Sequence, residues 1–238
     1  MLSLIKRQNV RKVQYPWCIF LTIIMVTGMT LSVPGQNHEP ITGSQLNQLL
    51  VDAEQNFAEI NTIKTLFTQE KSLSLFAEPV ISKGFCIFKA PDQIRLEYTE
   101  PFKSSLLVNH NQIYKYEFYA GQWKKLDSAD KEIMLTVMGN IGSWLKGKFK
   151  DPQVYDISAM NGDKKTIFLV PKHTAFKKFI RSFELGLNNH INGLDYIIIH
   201  ENEKDYTKIT FHNDVINTAV SDTVFVGEED GPQPVAQW

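Results

Sequence analysis

Cysteine is almost missing: Cys18 and Cys86 are the two in 238 residues. Cys18 lies in an N-terminal apolar run, so the chain beyond that run holds one thiol and no internal disulfide. Neither sign of charge dominates, with 25 Lys and Arg against 26 Asp and Glu. That balance lacks the basic excess of a nucleic-acid binder. Enzyme motifs are missing as well. There is no Gly-x-Ser-x-Gly elbow, no His-Glu-x-x-His, no phosphate-cradling glycine loop and no Cys-x-x-Cys. The six histidines, His38, His110, His173, His190, His200 and His212, are scattered and fall mostly at turns or strand ends. His200 and His212 could meet on neighbouring strands, but a third ligand at metal spacing is wanting. Glu97 and Glu100 sit among alternating apolar residues, as on a solvated strand face, and not as an acid/base pair. The reading is of a protein without catalytic residues, metal or cofactor.

The N-terminus carries Lys6, Arg7, Arg11 and Lys12, then an apolar run from Trp17 to Leu31, then Ser-Val-Pro-Gly ending at Gly35. Val33 and Gly35 suit the small-residue positions of a cleavage site before Gln36, so residues 1–35 read as a secretory signal peptide. The alternative, a retained anchor, needs roughly 20 apolar residues to span a bilayer, more than this run supplies. Cys18 does not suit lipid attachment, because Tyr15, Pro16 and Trp17 before it are bulky. Residues 1–35 hold four basic and no acidic residues, so their removal takes the net charge from −1 to −5.

Residues 36–43 read as a loose polar lead-in. Thr42 is placed to cap a helix, with Gln45 as its capping-box partner. Leu46, Leu49, Leu50, Ala53 and Phe57 then form one helical stripe, which Asn61 closes.

From Thr62 to Tyr119 short alternating runs follow one another, broken by turn residues about every ten positions, the pattern of an antiparallel meander. Pro79, Pro91 and Pro101 belong in its connections, since proline cannot donate to a ladder. Asn109-His110-Asn111 reads as a hairpin turn, and Gly121 ends the fifth strand. Ile94, Leu96 and Tyr98 take one face while Gln93, Arg95 and Glu97 take the other, which reads as one apolar and one wet side. Cys86, mid-strand between Phe85 and Ile87, reads as a small buried hydrophobe.

A second helix starts at Asp127 or Ser128, with Asp130 and Glu132 in its first turn. Met134, Val137, Met138, Ile141, Trp144 and Leu145 form its stripe, and Gly147 with nearby lysines suits its end. Gly139 and Gly142 lie mid-helix, which makes the stripe adaptable. The meander resumes over Val154–Met160, Thr166–Val170, Phe179–Leu187, Leu194–His200 and Tyr206–Phe211. Residues 227–238 read as a frayed acidic tail.

Phe67-x-Gln69, then Gly84 and a strand ending Lys89-x-Pro91, then a strand ending Tyr98-Thr-Glu-Pro101, occur in an order that resembles the LolA-like family of periplasmic outer-membrane lipoprotein carriers. The resemblance runs from about Leu46 to Phe225. It implies a mainly β fold with α (α+β): an open, strongly curved antiparallel half-barrel of about eleven strands, over residues 36–226, with a helix lid on the concave face. It implies a hydrophobic cavity for acyl chains, lined by Phe67, Cys86, Phe88, Ala90, Ile94, Leu96, Tyr98, Leu106, Val108, Tyr114 and Tyr116 from strands. Met134, Met138, Ile141 and Trp144 line it from the lid. It also implies a periplasmic monomer, with a lipidated protein or other acylated molecule as cargo, an inner-membrane exporter as donor and an outer-membrane acceptor. In one position the chain departs from the family pattern. Ala90 stands where the family usually has an arginine that hydrogen-bonds across the cavity to close the lid. The same fold leaves two alternatives open: a carrier of a glycolipid or other acylated molecule, and a non-catalytic sensor or scaffold module.

Overall fold

A computed structural model of the chain describes residues 39–127 and 131–235. The chain divides between Gly35 and Gln36, and the described residues all belong to the second unit. The signal peptide expected at residues 1–35 and the helix start expected at Ser128 lie outside the described residues.

One antiparallel sheet organises the molecule. Its strands are β1 (Glu39–Ile41), β2 (Thr62–Ser72), β3 (Val80–Lys89), β4 (Gln93–Glu100), β5 (Ser104–Asn109), β6 (Gln112–Tyr119) and β7 (Gln122–Leu126). After a helix at Lys131–Trp144 come β8 (Tyr155–Asn161), β9 (Thr166–Pro171), β10 (Ser182–Leu187), β11 (Leu194–His200) and β12 (Tyr206–Ile216). The order across the sheet is β1-β8-β9-β10-β11-β12-β2-β3-β4-β5-β6-β7, so the barrel stays open between β1 and β7. The expected half-barrel is present, with twelve strands. The additional pairing comes from Glu39–Ile41, which joins β8 where a loose lead-in was expected. Gly121 and Ala120, both at positive φ, turn β6 into a further strand, β7.

Local chemistry shapes the sheet. Register shifts fall at Lys83/Gly84, Gly186/Leu187 and His212/Val215, and each such irregularity bends and twists a strand. At Gly84 a Cβ would sit 1.9 Å from the Glu97 carbonyl oxygen and 2.9 Å from Phe67 Cζ. Glycine there lets β3 press onto β4 beneath the Phe67 ring.

Among the described residues three α-helices accompany the sheet: α1 (Gly43–Phe57), α2 (Lys131–Trp144) and the single turn α3 (Thr174–Lys177). Thr42 stands at the α1 N-cap as expected, but its side chain makes no capping bond; the Gln45 amide donates to the Thr42 carbonyl at 3.2 Å instead. The α1 stripe does its expected work, with Leu49, Leu50, Ala53 and Phe57 all buried. The strand expected from Phe179 begins three residues later, at Ser182, because the turn of α3 is prolonged by the Ile180 amide bonding to Phe176.

The core lies on the concave face. Ile63, Phe67, Cys86, Phe88, Ile94 and Leu96 from one half of the sheet meet Ile167, Leu169, Phe183, Leu185, Ile197 and Ile209 from the other. The convex face is not uniformly wet, and here the sequence reading of β4 is corrected. Arg95 is 1 % exposed, because the chain after β12 returns across that face. A 3-10 turn, Asp222–Phe225, and a small hairpin of β13 (Gly227–Glu228) with β14 (Gly231–Pro232) form the return. Arg95 Nη1 donates to the carbonyls of Val224 at 3.0 Å and Gln233 at 2.6 Å. Its Nε donates to Glu97 Oε2 at 2.9 Å. The tail expected to fray from Gly227 is therefore folded onto the sheet as far as Gln233, held by hydrogen bonds its own sequence does not announce.

Candidate functional site

Helix α2 lies on the concave face with one apolar stripe turned inward. Met138, Ile141, Trp144 and Leu145 are buried, and Met134 and Val137 are partly buried against the same core. A Cβ at Gly142 would come to 3.5 Å of Ile94 and 3.8 Å of Phe88, ordinary contact, so glycine is tolerated there without being required. The end of the helix is closely fitted. At Gly147, φ +70°, a Cβ would meet the Ala53 carbonyl at 2.6 Å and Phe57 Cβ at 2.8 Å. Phe149 packs edge-on to Phe57 at 5.8 Å, and Trp144 packs edge-on to Phe183 at 4.7 Å. Lys146 Nζ donates to the carbonyls of Ala58, at 2.8 Å, and Ile60. The lid is thus anchored at its C-terminal end by both rings and hydrogen bonds.

Between α2 and the sheet is a cavity of about 350 Å³, within the size range of small-ligand sites. Its floor is Cys86, Ile94, Leu96, Tyr98 and Leu106 on one side and Ile197, Ile199, Ile209 and Phe211 on the other. Its roof is Met134, Val137, Met138, Ile141 and Leu145. Polar lining comes from Gln69, Lys71 and Thr207, at one end of their strands. The Tyr98 hydroxyl donates to Gln69 Oε1 at 2.7 Å, so the phenol is satisfied without a ligand. Burial pushes Tyr98 up to about 12, with the neighbouring Cys86 adding to the shift. Burial likewise pushes the Cys86 thiol up to about 12, with Asp214's charge adding, which suits an inert wall and not a nucleophile.

A smaller cavity of about 160 Å³ continues along the same strands, lined by Phe57, Ile63, Phe88 and Asp214 among others. Cys86, Leu145 and Phe211 line both spaces, so these three side chains form the partition. A third space of about 480 Å³ lies on the other flank of α2, bounded by Glu132, Thr136 and Asn140 and by Tyr155, Phe176 and Phe179.

Of the expected lining residues, Cys86, Ile94, Leu96, Tyr98, Leu106, Met134, Met138 and Ile141 stand around the main cavity. Phe88 lines the smaller one. Phe67 and Val108 are core beside these spaces, Phe67 edge-on to Tyr98 at 5.2 Å. Ala90 packs partly buried against the core at its rim, its amide donating to the Asn61 carbonyl at 2.8 Å. Trp144 is core, not cavity wall. Two expected residues are on the wrong face. Tyr114 pairs with Leu107 and Tyr116 with Ser105, which places both rings on the convex side. There Tyr116 donates to the Glu228 carbonyl at 2.8 Å, and Lys125 Nζ stands 5.1 Å from the Tyr114 ring. The hairpin at Asn109–Gln112 fixes this register: Ile113 faces Val108 and takes the inward position. Expectation had missed Val137, Leu145 and the whole wall from β11 and β12. Their alternation was visible, but not that β12 pairs with β2.

His200 and His212 do not meet: His200 approaches Glu184 at 3.6 Å and His212 contacts the Thr68 hydroxyl at 3.2 Å. Among the described residues no group of three or more His, Cys, Asp or Glu could hold a metal ion. Among the same residues no helix is long and apolar enough to cross a membrane.

Residues 58–227 match the family model described as outer membrane lipoprotein carrier protein LolA. No curated protein matches. Among solved structures, the chain is similar to a DUF1329 family protein from Desulfovibrio piger, 9 % identical with TM-score 0.44, over 79 % of this chain and 98 % of that one. It is similar to a LolA superfamily protein from Nitrosomonas europaea, 11 % identical with TM-score 0.39, over 76 % and 96 % of the two chains. It is also similar to LprF from Mycobacterium bovis, 13 % identical with TM-score 0.39, over 77 % and 97 %. With the family model covering well over half of its length, the chain belongs to the LolA outer membrane lipoprotein carrier family.

Proposed function

We propose that this protein is a periplasmic, non-catalytic carrier that shields an acyl chain of a lipidated cargo in transit from inner to outer membrane. The observation that carries this reading is the cavity of about 350 Å³ between α2 and the sheet. Its walls are almost wholly aliphatic and aromatic, and two methionines in its roof supply adaptable contacts. An acyl chain placed there gains about 0.8 kcal/mol for each CH₂ removed from water. The proposed lining is Cys86, Ile94, Leu96, Tyr98, Leu106, Met134, Met138 and Ile141, extended by Val137, Leu145, Ile197, Ile199, Ile209 and Phe211.

The cavity also favours a carrier over a scaffold module, which would have its core closed by side chains. The cargo is a lipoprotein in this reading, and a glycolipid would use the same apolar walls. Donor and acceptor are an inner-membrane exporter and an outer-membrane acceptor, and the carrier acts as a monomer. The test is to isolate the secreted protein gently from the cell envelope and identify co-purifying molecules by mass spectrometry. Acylated peptide or protein is expected. Recovery without any acylated molecule, together with no uptake of a fluorescent fatty acid, would overturn the proposal.

A further inference from the structure

Large apolar side chains are concentrated in solvent at one end of the sheet. Antiparallel succession brings the turns after β2, β4 and β6 to the same end, as the pairs Lys71 with Val80, Tyr98 with Ser104 and Tyr119 with Gln122 require. At these tips Leu75 is 91 % exposed, Phe102 82 % and Phe76 59 %. Lysines flank them: Lys103 stands 5.5 Å from the Phe118 ring and Lys124 5.3 Å from Tyr119. Acidic residues moderate that charge, since Lys83 is paired with Glu100 at 3.2 Å and Glu78 and Glu117 are close by in sequence. The patch is therefore chiefly apolar, with amphipathic rings and lysines at its border, the composition of a surface that sits at a bilayer interface.

The main cavity points the same way. Its polar lining residues, Gln69, Lys71 and Thr207, lie at the strand ends that adjoin the 73–79 tip, with Lys71 paired to Thr207. At the opposite end the smaller cavity is lined by Phe57 and by Ile60 just after α1. The mouth through which an apolar chain would enter is thus beside the exposed tips.

We propose that the tips carrying Leu75, Phe76 and Phe102 dock on a lipid bilayer, so that the cavity mouth faces the membrane surface. The docking stands on exposure and position, while its use in cargo transfer rests on the carrier reading above. Three apolar or aromatic side chains entering the interface hold the protein there reversibly, and the offsetting acidic residues make the contact only weakly dependent on anionic lipid.

Hydrogen exchange of the full chain, with and without vesicles of phosphatidylcholine or of phosphatidylcholine with phosphatidylglycerol, tests this. Amides of residues 73–78 and of Phe102 and Lys103 should slow at least tenfold with both vesicle types. The triple variant Leu75→Ser, Phe76→Ser, Phe102→Ser should lose that slowing and keep its thermal midpoint, since all three side chains are exposed. Its uptake of a fluorescent fatty acid from solution should be unchanged. Vesicle binding without slowing at the tips would overturn the docking proposal and leave the carrier reading intact. So would slowing that needs no vesicles and accompanies a dimer in sedimentation, which would assign the patch to a second copy. Wild-type protection at the tips without fatty-acid uptake would overturn the carrier reading and leave docking intact.

Discussion

Lys146 Nζ donates to the Ala58 carbonyl at 2.8 Å, tying the end of the lid helix to the corner where α1 hands the chain to β2. A second bond from the same ammonium reaches the Ile60 carbonyl. The lid therefore keeps a polar tie, though not at Ala90, where the family's arginine would stand. The tie is at the anchored end, so it sets where the lid would pivot. Replacing Lys146 with Met should cost about 1 kcal/mol, the net worth of such a part-exposed bond. Release of a bound fluorescent fatty acid should quicken several-fold. Urea unfolding and stopped-flow release measure the two. An unchanged release rate would mean the tie does not govern the lid.

Gly139 sits mid-helix with nothing within 4 Å of a built Cβ. Gly139→Ala should stabilise the protein by up to about 1 kcal/mol through helix propensity alone. A stiffer lid should also exchange ligand more slowly. Thermal unfolding reads the first effect and ligand exchange the second.

Trp144 is 1 % exposed and packs on Phe183 and Tyr155. Trp144→Ala should cost about 3–5 kcal/mol. The loss belongs to the core, so equilibrium denaturation should show it in the ligand-free protein. A cost below about 1 kcal/mol would show that the ring is not an anchor.

Cys86 reports on the partition between the cavity under α2 and the smaller one that continues from it. Burial raises its thiol from 9.0 to about 12, which leaves about a thousandfold less thiolate at pH 8. Iodoacetamide should label it at least that much more slowly than in the unfolded chain, read by mass spectrometry of its peptide. Linkage gives a sign as well. A folded value above the unfolded one means the contribution to stability is whole below about 9 and is lost as pH rises towards 12. Tyr98, raised from 10.0 to about 12, acts in the same direction over an overlapping range. Urea midpoints should fall from pH 9 upward, and Cys86→Val should remove the earlier part of that fall.

Arg95 clamps the returning chain. Its side chain is 2 % exposed, with Glu97 at 17 %, and breaking such a pair by removing one member costs about 3–5 kcal/mol. Arg95→Met should show a loss of this order and expose residues 222–233 to exchange. Protection of that segment equal to wild type would show that other contacts hold it.

The legible parts of this fold were those written in neighbouring residues. The α1 stripe, the alternation of β4 and the hairpin turn at Asn109–Asn111 each follow from local spacing. What was not legible depends on distant partners. Alternation in β4 shows that Arg95 and Ile94 face opposite ways, but not that residues 222–233 cover the Arg95 side. Tyr114 and Tyr116 were misplaced because two aromatic residues on one parity look like a cavity wall, while the register set by His110 and Asn111 turns Ile113 inward instead. The walls from Ile197 to Phe211 were hidden because nothing in Tyr206–Ile216 names Thr62–Ser72 as its neighbour.

That last pairing governs how the molecule can come together. Strands β2 to β7 follow one another through short connections, and so do β8 to β12 with only α3 and its flanking residues inserted between β9 and β10, so each half can assemble from contacts close in sequence. The two halves meet where β12 lies on β2, with Ile216 opposite Ile63 and Tyr206 opposite Ser72. Closing so long a loop is slow compared with making hairpins. A chain emerging N-terminus first holds β2 with a bare edge until residues 206–216 arrive. A nascent or truncated chain ending before Tyr206 would therefore show an unpaired strand to its neighbours, and the lid would have only half a floor to rest on.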